Sequence, residues 1–255
     1  MKKTIKYLSE DKKTMQITIA DERFYVKFDE KTEQDIFYPS CTWICGHYPK
    51  GVAFYKWLAN HGWDESEAIK QAAGDKGSKV HSAIVDLIDG NEVPMNMQYP
   101  NPKTEALEEL TLEEYECLVS FVNWFKEVNP SIIAREVTVF NEEFHYAGTV
   151  DLLCQIKGET WLIDFKTGQY IWPEYELQVS AYRHALMHHK TLKLGIIQVG
   201  YRLNKKKYKF TEVQDKFDLF QSAYRIWQNE QEGVEPKKID LPTSLKLEIV
   251  NEKTN

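Results

Sequence analysis

Cysteine is scarce in this chain: four in 255 residues, at 41, 45, 117 and 154. Cys41 and Cys45 lie close together, but no second nearby pair completes a zinc or iron–sulfur set. All four read as reduced structural thiols, with Cys154 buried in a strand. No apolar run approaches the ~20 residues that span a bilayer. The opening MKKTIKYLSEDKK has no apolar core of a secretory signal. A cytoplasmic location without a membrane partner is therefore expected. Excess positive charge is missing as well. A net charge of −7 and a pI near 5.6 exclude a protein that coats nucleic acid non-specifically. They leave room for an enzyme that meets phosphates through a local basic patch and bound cations. Lys205-Lys206-Lys207 is a local basic run, read as a solvated turn. No internal repeat is visible.

Hydrophobic residues make up 42% and aromatics 13%, enough for a full core. The length fits one large domain, or one domain with an added lobe. Residues 14–28 alternate like a strand pair with a polar turn at Asp21-Glu22. A short helix is expected over 52–60, closed by Gly62. A second covers 67–89, where Gly74 and Gly77 mark a break or a close packing contact. Residues 90–104 are a Pro- and Asn-rich loop. Thr111-Leu112-Glu113-Glu114 is a capping box for a helix to about 128, stopped by Asn129-Pro130. Strands follow at 132–140 and in a hairpin turning at Lys157-Gly158. A helix is expected over 175–190, a hairpin over 196–203 and 208–213, and a last helix over 217–231. This order predicts an α/β fold, a mixed central sheet flanked by helices. Trp43, Trp57, Trp63 and Trp124 are expected in the core.

The hairpin GTVDLLCQIKGETWLIDFKTG poses the chemical question, because it places charges in apolar strands. Asp164 and Lys166 are two apart, so both point to one face. Counting back from the turn brings Asp151 to the rung of Asp164. Leu152, Leu162, Ile163 and Phe165 are the apolar neighbours on the other face. Unpaired, such charges are expensive to bury. A divalent cation resolves the conflict, since carboxylates are natural ligands of Mg²⁺ or Mn²⁺. The lysine can then orient or deprotonate a water, giving the parts needed for phosphodiester hydrolysis. The rival reading is a structural Asp–Lys pair.

The surrounding motifs decide between them. Gly148-Thr149-Val150-Asp151, then Asp164-Phe165-Lys166-Thr167, then Gln178-Val179-Ser180-Ala181-Tyr182 resembles the signature of RecB-like nucleases in the PD-(D/E)XK superfamily. Gly77-Ser78-Lys79-Val80-His81 matches that family's upstream histidine motif, so the likeness covers about residues 74–185. The stretch YPSCTWICGHYPKG is similar to the lead-in of phage-type members and of the mitochondrial genome-maintenance exonuclease.

The resemblance implies a restriction-endonuclease-like core with an N-terminal β-hairpin and helical region. It implies Asp151, Asp164, the Phe165 carbonyl and His81 as ligands of Mg²⁺ or Mn²⁺. Lys166 would position the water, Gln178 and Tyr182 would support the site or touch DNA, and Glu136 would be a further acid near the metal. No cysteine follows Cys154, so no iron–sulfur cluster is expected. No helicase signature is present, which implies a free-standing module. The implied activity is a DNA nuclease, favouring exonuclease action, in phage-type recombination, repair or replication and working beside proteins of those processes. A catalytically inactive DNA-binding module and a nuclease acting on RNA remain the alternatives. The expected organisation is 1–63 as a lead-in packed on the core, 64–235 as the nuclease core, and 236–255 as a polar tail.

Overall fold

Alternating apolar positions at the start of the chain produce four short strands: β1 (Lys3–Tyr7), β2 (Thr14–Ile19), β3 (Glu22–Asp29) and β4 (Gln34–Pro39). They form an antiparallel sheet in simple sequential order. The expected hairpin is therefore only the middle of a larger sheet. Its outer strands were hidden because they carry few buried side chains: β4 buries only its last two residues. The computed structural model describes residues 3–19, 22–102, 104–186, 191–231 and 246. The turn at Asp21, the end of the helix expected to reach 190, and the tail 236–255 apart from Lys246 lie outside the described residues.

Ser40 caps the short helix α1 (Cys41–Cys45), its hydroxyl accepting from the Trp43 amide at 3.1 Å. Helix α2 (Val52–His61) ends at Gly62, whose φ of 75° a side chain would resist. Helix α3 (Trp63–Ile88) starts earlier than expected and runs 26 residues without a break. Gly74 has no heavy atom within 4 Å of a would-be Cβ, and at Gly77 the nearest is Thr167 Oγ1 at 3.9 Å. Neither glycine marks a kink. The 90–104 region is less irregular than its composition suggested, because β5 (Gln98–Pro100) pairs with β6 (Leu107–Glu109). Helix α4 (Leu112–Val128) opens on the expected capping box and closes on Asn129 in left-handed backbone.

The central sheet follows. Strand β7 (Ser131–Asn141) pairs antiparallel with β8 (Tyr146–Ile156), and β8 with β9 (Glu159–Lys166). Lys157 (φ 52°) and Gly158 (φ 83°) make the tight turn between the last two. Helix α5 (Pro173–Ala185) crosses over to β10 (Lys193–Val199), which runs parallel to β9. Strand β11 (Tyr208–Val213) then pairs antiparallel with β10, and α6 (Phe217–Glu230) ends the fold. The sheet order β11-β10-β9-β8-β7, with one parallel pair, confirms the mixed sheet.

Two apolar clusters cover its faces. Val150, Leu162 and Ile196 pack under α1, α5 and α6, against Ile44, Leu177, Phe220 and Trp227. Leu152, Ile163, Phe165 and Ile197 pack under α3 and α4, against Ile84, Leu118, Phe121 and Trp124. Each fully buried side chain of this size contributes about 1.5–3 kcal/mol. Leu162 thus shares the face of Asp164 rather than the opposite one. Trp124 is core as expected, but Trp63 is 68% exposed. It stands at the first position of α3. The N-terminal sheet joins the central one at β8, through the Ser40–Ala147 bridge and the Tyr25 hydroxyl at 2.9 Å from Thr149 Oγ1.

Candidate active site

Val150 and Leu152 are two apart in β8 yet pack on opposite faces of the sheet. A regular strand forbids this. The alternation is broken at Asp151, and the backbone shows why. The β8–β9 ladder ends at Leu152–Ile163, one residue before Asp151 would meet Asp164. Across the other edge, the β7–β8 ladder steps from Arg135–Leu152 to Val137–Val150, passing over Glu136 and Asp151. Glu136 itself has φ 47°, left-handed backbone in mid-strand. A non-glycine residue there carries strain of about 1–3 kcal/mol. The Asp151 carboxylate takes the place of the missing ladder partner: Oδ2 accepts from the Phe165 amide at 2.7 Å.

His81 arrives from α3. Its Nε2 lies 2.9 Å from the Phe165 carbonyl oxygen, and its Nδ1 3.5 Å from Asp151 Oδ1. One ligand-type atom each from His81, Glu136 and Asp151 falls within 4.8 Å of the others. Asp164 sits beside this trio on β9, only 1% exposed. Lys166 Nζ is 2.6 Å from Asp164 Oδ2, and Gln178 Nε2 is 3.3 Å from Oδ1. The contact of the buried Oδ2 is therefore this ion pair with the lysine.

Helix α5 supplies the remaining contacts. Gln178 receives a hydrogen bond from Lys166 Nζ at 3.3 Å and donates to the Tyr182 hydroxyl at 2.6 Å. Tyr182 is buried, and its ring lies where a side chain on residue 148 would be. A Cβ on Gly148 would come within 2.2 Å of that ring and 3.2 Å of Cys41 Sγ. The glycine of the G-x-x-D motif is thus required by packing. Tyr175 was not singled out by the motifs, yet its ring centroid lies 4.6 Å from Lys166 Nζ. It precedes Gln178 by three residues, so helical spacing alone places it on the same face.

The charges set one another's ionisation. Burial pushes the Asp164 carboxyl up to about 6, against the pull of Lys166. Burial also opposes ionisation of Asp151, but His81, Lys166 and the Phe165 amide outweigh it and hold its carboxyl below the usual range. Burial alone would depress His81, yet the Asp151 carboxylate raises it to about 9. Lys166 is likewise raised, Asp164 and Asp151 overcoming its burial. Glu136 is raised by burial and then by Asp151. Every expected site residue therefore lies in one contiguous cluster: His81, Glu136, Asp151, Asp164, Phe165, Lys166, Gln178 and Tyr182. Within it Asp164 stands apart from the His81–Glu136–Asp151 trio, in the grip of Lys166 and Gln178.

The cluster fits a divalent cation. Two acids and an imidazole converge, the Phe165 carbonyl lies at the same place, and the buried Asp164 carboxylate stands beside them. The Cys41–Cys45 pair is buried and free, as are Cys117 and Cys154. Among the described residues no helix is long and apolar enough to cross a membrane.

The sequence model of the PD-(D/E)XK nuclease superfamily matches residues 53–239. No curated protein matches the chain. Among solved structures, a "Putative exonuclease" from Eubacterium rectale is similar, at 16% identity and a TM-score of 0.39, covering 68% of this chain and 77% of its own.

Proposed function

This chain belongs to the PD-(D/E)XK nuclease superfamily, and from that premise we propose that it is a Mg²⁺- or Mn²⁺-dependent deoxyribonuclease acting as an exonuclease. The observation that carries the proposal is the meeting of His81, Glu136 and Asp151 beside Asp164 and Lys166, at a point where both strand ladders part. Asp151, Asp164, His81 and the Phe165 carbonyl would hold the cation, with Glu136 as a further acid. When bound, it would polarise the scissile phosphate and lower the pKa of a bound water.

The chain's own groups do the rest. Lys166, charged and held by Asp164, orients the attacking water and faces the charge that grows on the phosphate oxygens. Tyr175 lies against its ammonium and Gln178 fixes it from the side, so the lysine has one direction to point. Tyr182 holds Gln178 in turn. The nuclease unit would be 64–235, with 1–63 packed on it and 236–255 as a tail. DNA is the substrate proposed, in phage-type recombination, repair or replication within the cytoplasm.

The test is digestion of end-labelled single- and double-stranded DNA with Mg²⁺ or Mn²⁺, beside matched RNA. Asp164→Ala and Lys166→Ala, folded as judged by circular dichroism, should each lose at least about 10²-fold in rate. Undiminished cleavage by both variants would sink the proposal, and cleavage of RNA alone would move the activity to the other nucleic acid.

A further inference from the structure

The turn between β9 and α5 holds two large aromatic side chains in water. Tyr170 is 69% exposed and Trp172 47% exposed, while Ile171 between them packs into the core under α5. Their ring centroids are 6.4 Å apart, at 55°. Leaving that much apolar surface wet is unfavourable, at roughly 25 cal/mol per Å². A loose turn could fold the rings down. This one is fixed on both sides. Gln198, 1% exposed, donates from Nε2 to the Gly168 carbonyl at 3.0 Å. Gln169 donates to the Gly200 carbonyl at 3.0 Å and accepts from the Arg202 amide at 2.8 Å. Trp172 then caps α5, where its carbonyl accepts from the Tyr175 amide at 3.0 Å.

The placement ties the pair to the proposed chemistry. Going along the chain, Lys166 ends β9, Tyr170 and Trp172 follow, and Tyr175 and Gln178 return to Lys166. Tyr175 and Gln178, three apart in α5, are neighbours on its surface, and Trp172 is the residue that caps that helix. Tyr170 and Trp172 thus stand four and six residues along the chain from Lys166, just before the Tyr175 ring that lies against its ammonium. Rigid rings beside a phosphate-handling centre suit the faces of nucleobases. Stacking on such rings is sequence-tolerant and needs bases that are not already stacked in a duplex.

We propose that Tyr170 and Trp172 form a stacking platform for unpaired bases next to the scissile phosphate, so that the enzyme takes a single-stranded DNA segment or end. This inference rests on the nuclease reading above but can fail apart from it. The phosphodiester site needs only the backbone, whereas the platform needs bases.

The experiment measures cleavage and binding together. Wild type, Trp172→Ala, Tyr170→Ala and Trp172→Phe are assayed on a single-stranded oligonucleotide, the same strand carrying consecutive abasic sites, and a blunt duplex. Binding of the single strand is followed by fluorescence anisotropy with Ca²⁺ in place of Mg²⁺. The alanine variants should raise KM and Kd for the normal strand about ten-fold, with Trp172→Phe restoring most of it. The abasic strand should be poor for wild type and no worse for the variants. Unchanged KM and Kd in both alanine variants, or an equal loss on abasic and normal strands, would overturn the platform while leaving a working nuclease. Binding that depends on Trp172, without cleavage of any substrate, would uphold the platform and sink the nuclease reading. Neither binding nor cleavage would sink both.

Discussion

At Gly148 one hydrogen atom decides the geometry of the site. The Tyr182 ring occupies the space a methyl group would need, so Gly148→Ala must push that ring away. Overpacking of this kind costs about 1–3 kcal/mol. Because Tyr182 holds Gln178 and Gln178 holds Lys166, the displacement reaches the lysine. Gly148→Ala should lower the melting temperature by several degrees and cut cleavage more than ten-fold; thermal unfolding and initial rates check both. Protonation acts on the same residues. Asp164 titrates at about 6 and His81 at about 9, and each must shed its proton before it can ligate a cation. Both protons oppose the cation as pH falls, so Mn²⁺ affinity should rise from pH 5 to pH 9. Titrations at several pH values would show this. His81→Gln should flatten the upper half of that rise and leave the part near pH 6. At this scale the sequence was informative about identity and silent about conformation. Asp151, Asp164 and Lys166 stand out as charges among apolar neighbours, whereas the left-handed backbone of Glu136 leaves no mark in composition.

Helices and strands carry the second layer of the account. The capping box at Thr111, the Lys157-Gly158 turn and the apolar hairpin were legible because each is a local signal with a local cause. The change of face at Asp151 was not, because VDLL reads as an ordinary buried strand. It arises only where three strands meet and the ladders part on both sides. The four-stranded N-terminal sheet escaped for a related reason: its outer strands are half wet, and pairing rather than burial defines them. Helix α3 gives the opposite lesson. Gly74 and Gly77 looked like interruptions, yet the helix runs straight through both. At Gly74 the space for a side chain is open. Gly74→Ala should therefore stabilise the protein by about 0.5–1 kcal/mol, since alanine favours the helix and no clash opposes it. Chemical denaturation should report that gain with cleavage unchanged.

The whole molecule carries a net charge of −7, so its hold on nucleic acid has to be local. Among the described residues several cations are ion-paired: Lys50 with Glu174, and both Lys76 and Arg202 with Glu113. On a chain of this net charge, few phosphates are expected to be neutralised at once. The dependence of DNA affinity on salt should accordingly be shallow, with a log–log slope equivalent to a few phosphate contacts. Binding measured between 50 and 200 mM salt, in roughly the range where counterion release is read, would reveal a steep slope if a wider basic surface were in use. Apolar clusters on both faces of the central sheet hold β8 and β9 rigid, so the strained stretch at Glu136 and Asp151 cannot relax. The account stands on a cation held by that stretch. Isothermal titration of Mn²⁺ into the protein and into Asp151→Asn at pH 8 tests it most directly. Saturable binding by the unaltered chain, absent or weakened at least about ten-fold in the variant, is the predicted result. Equal binding by both, or none by the unaltered protein, would contradict it.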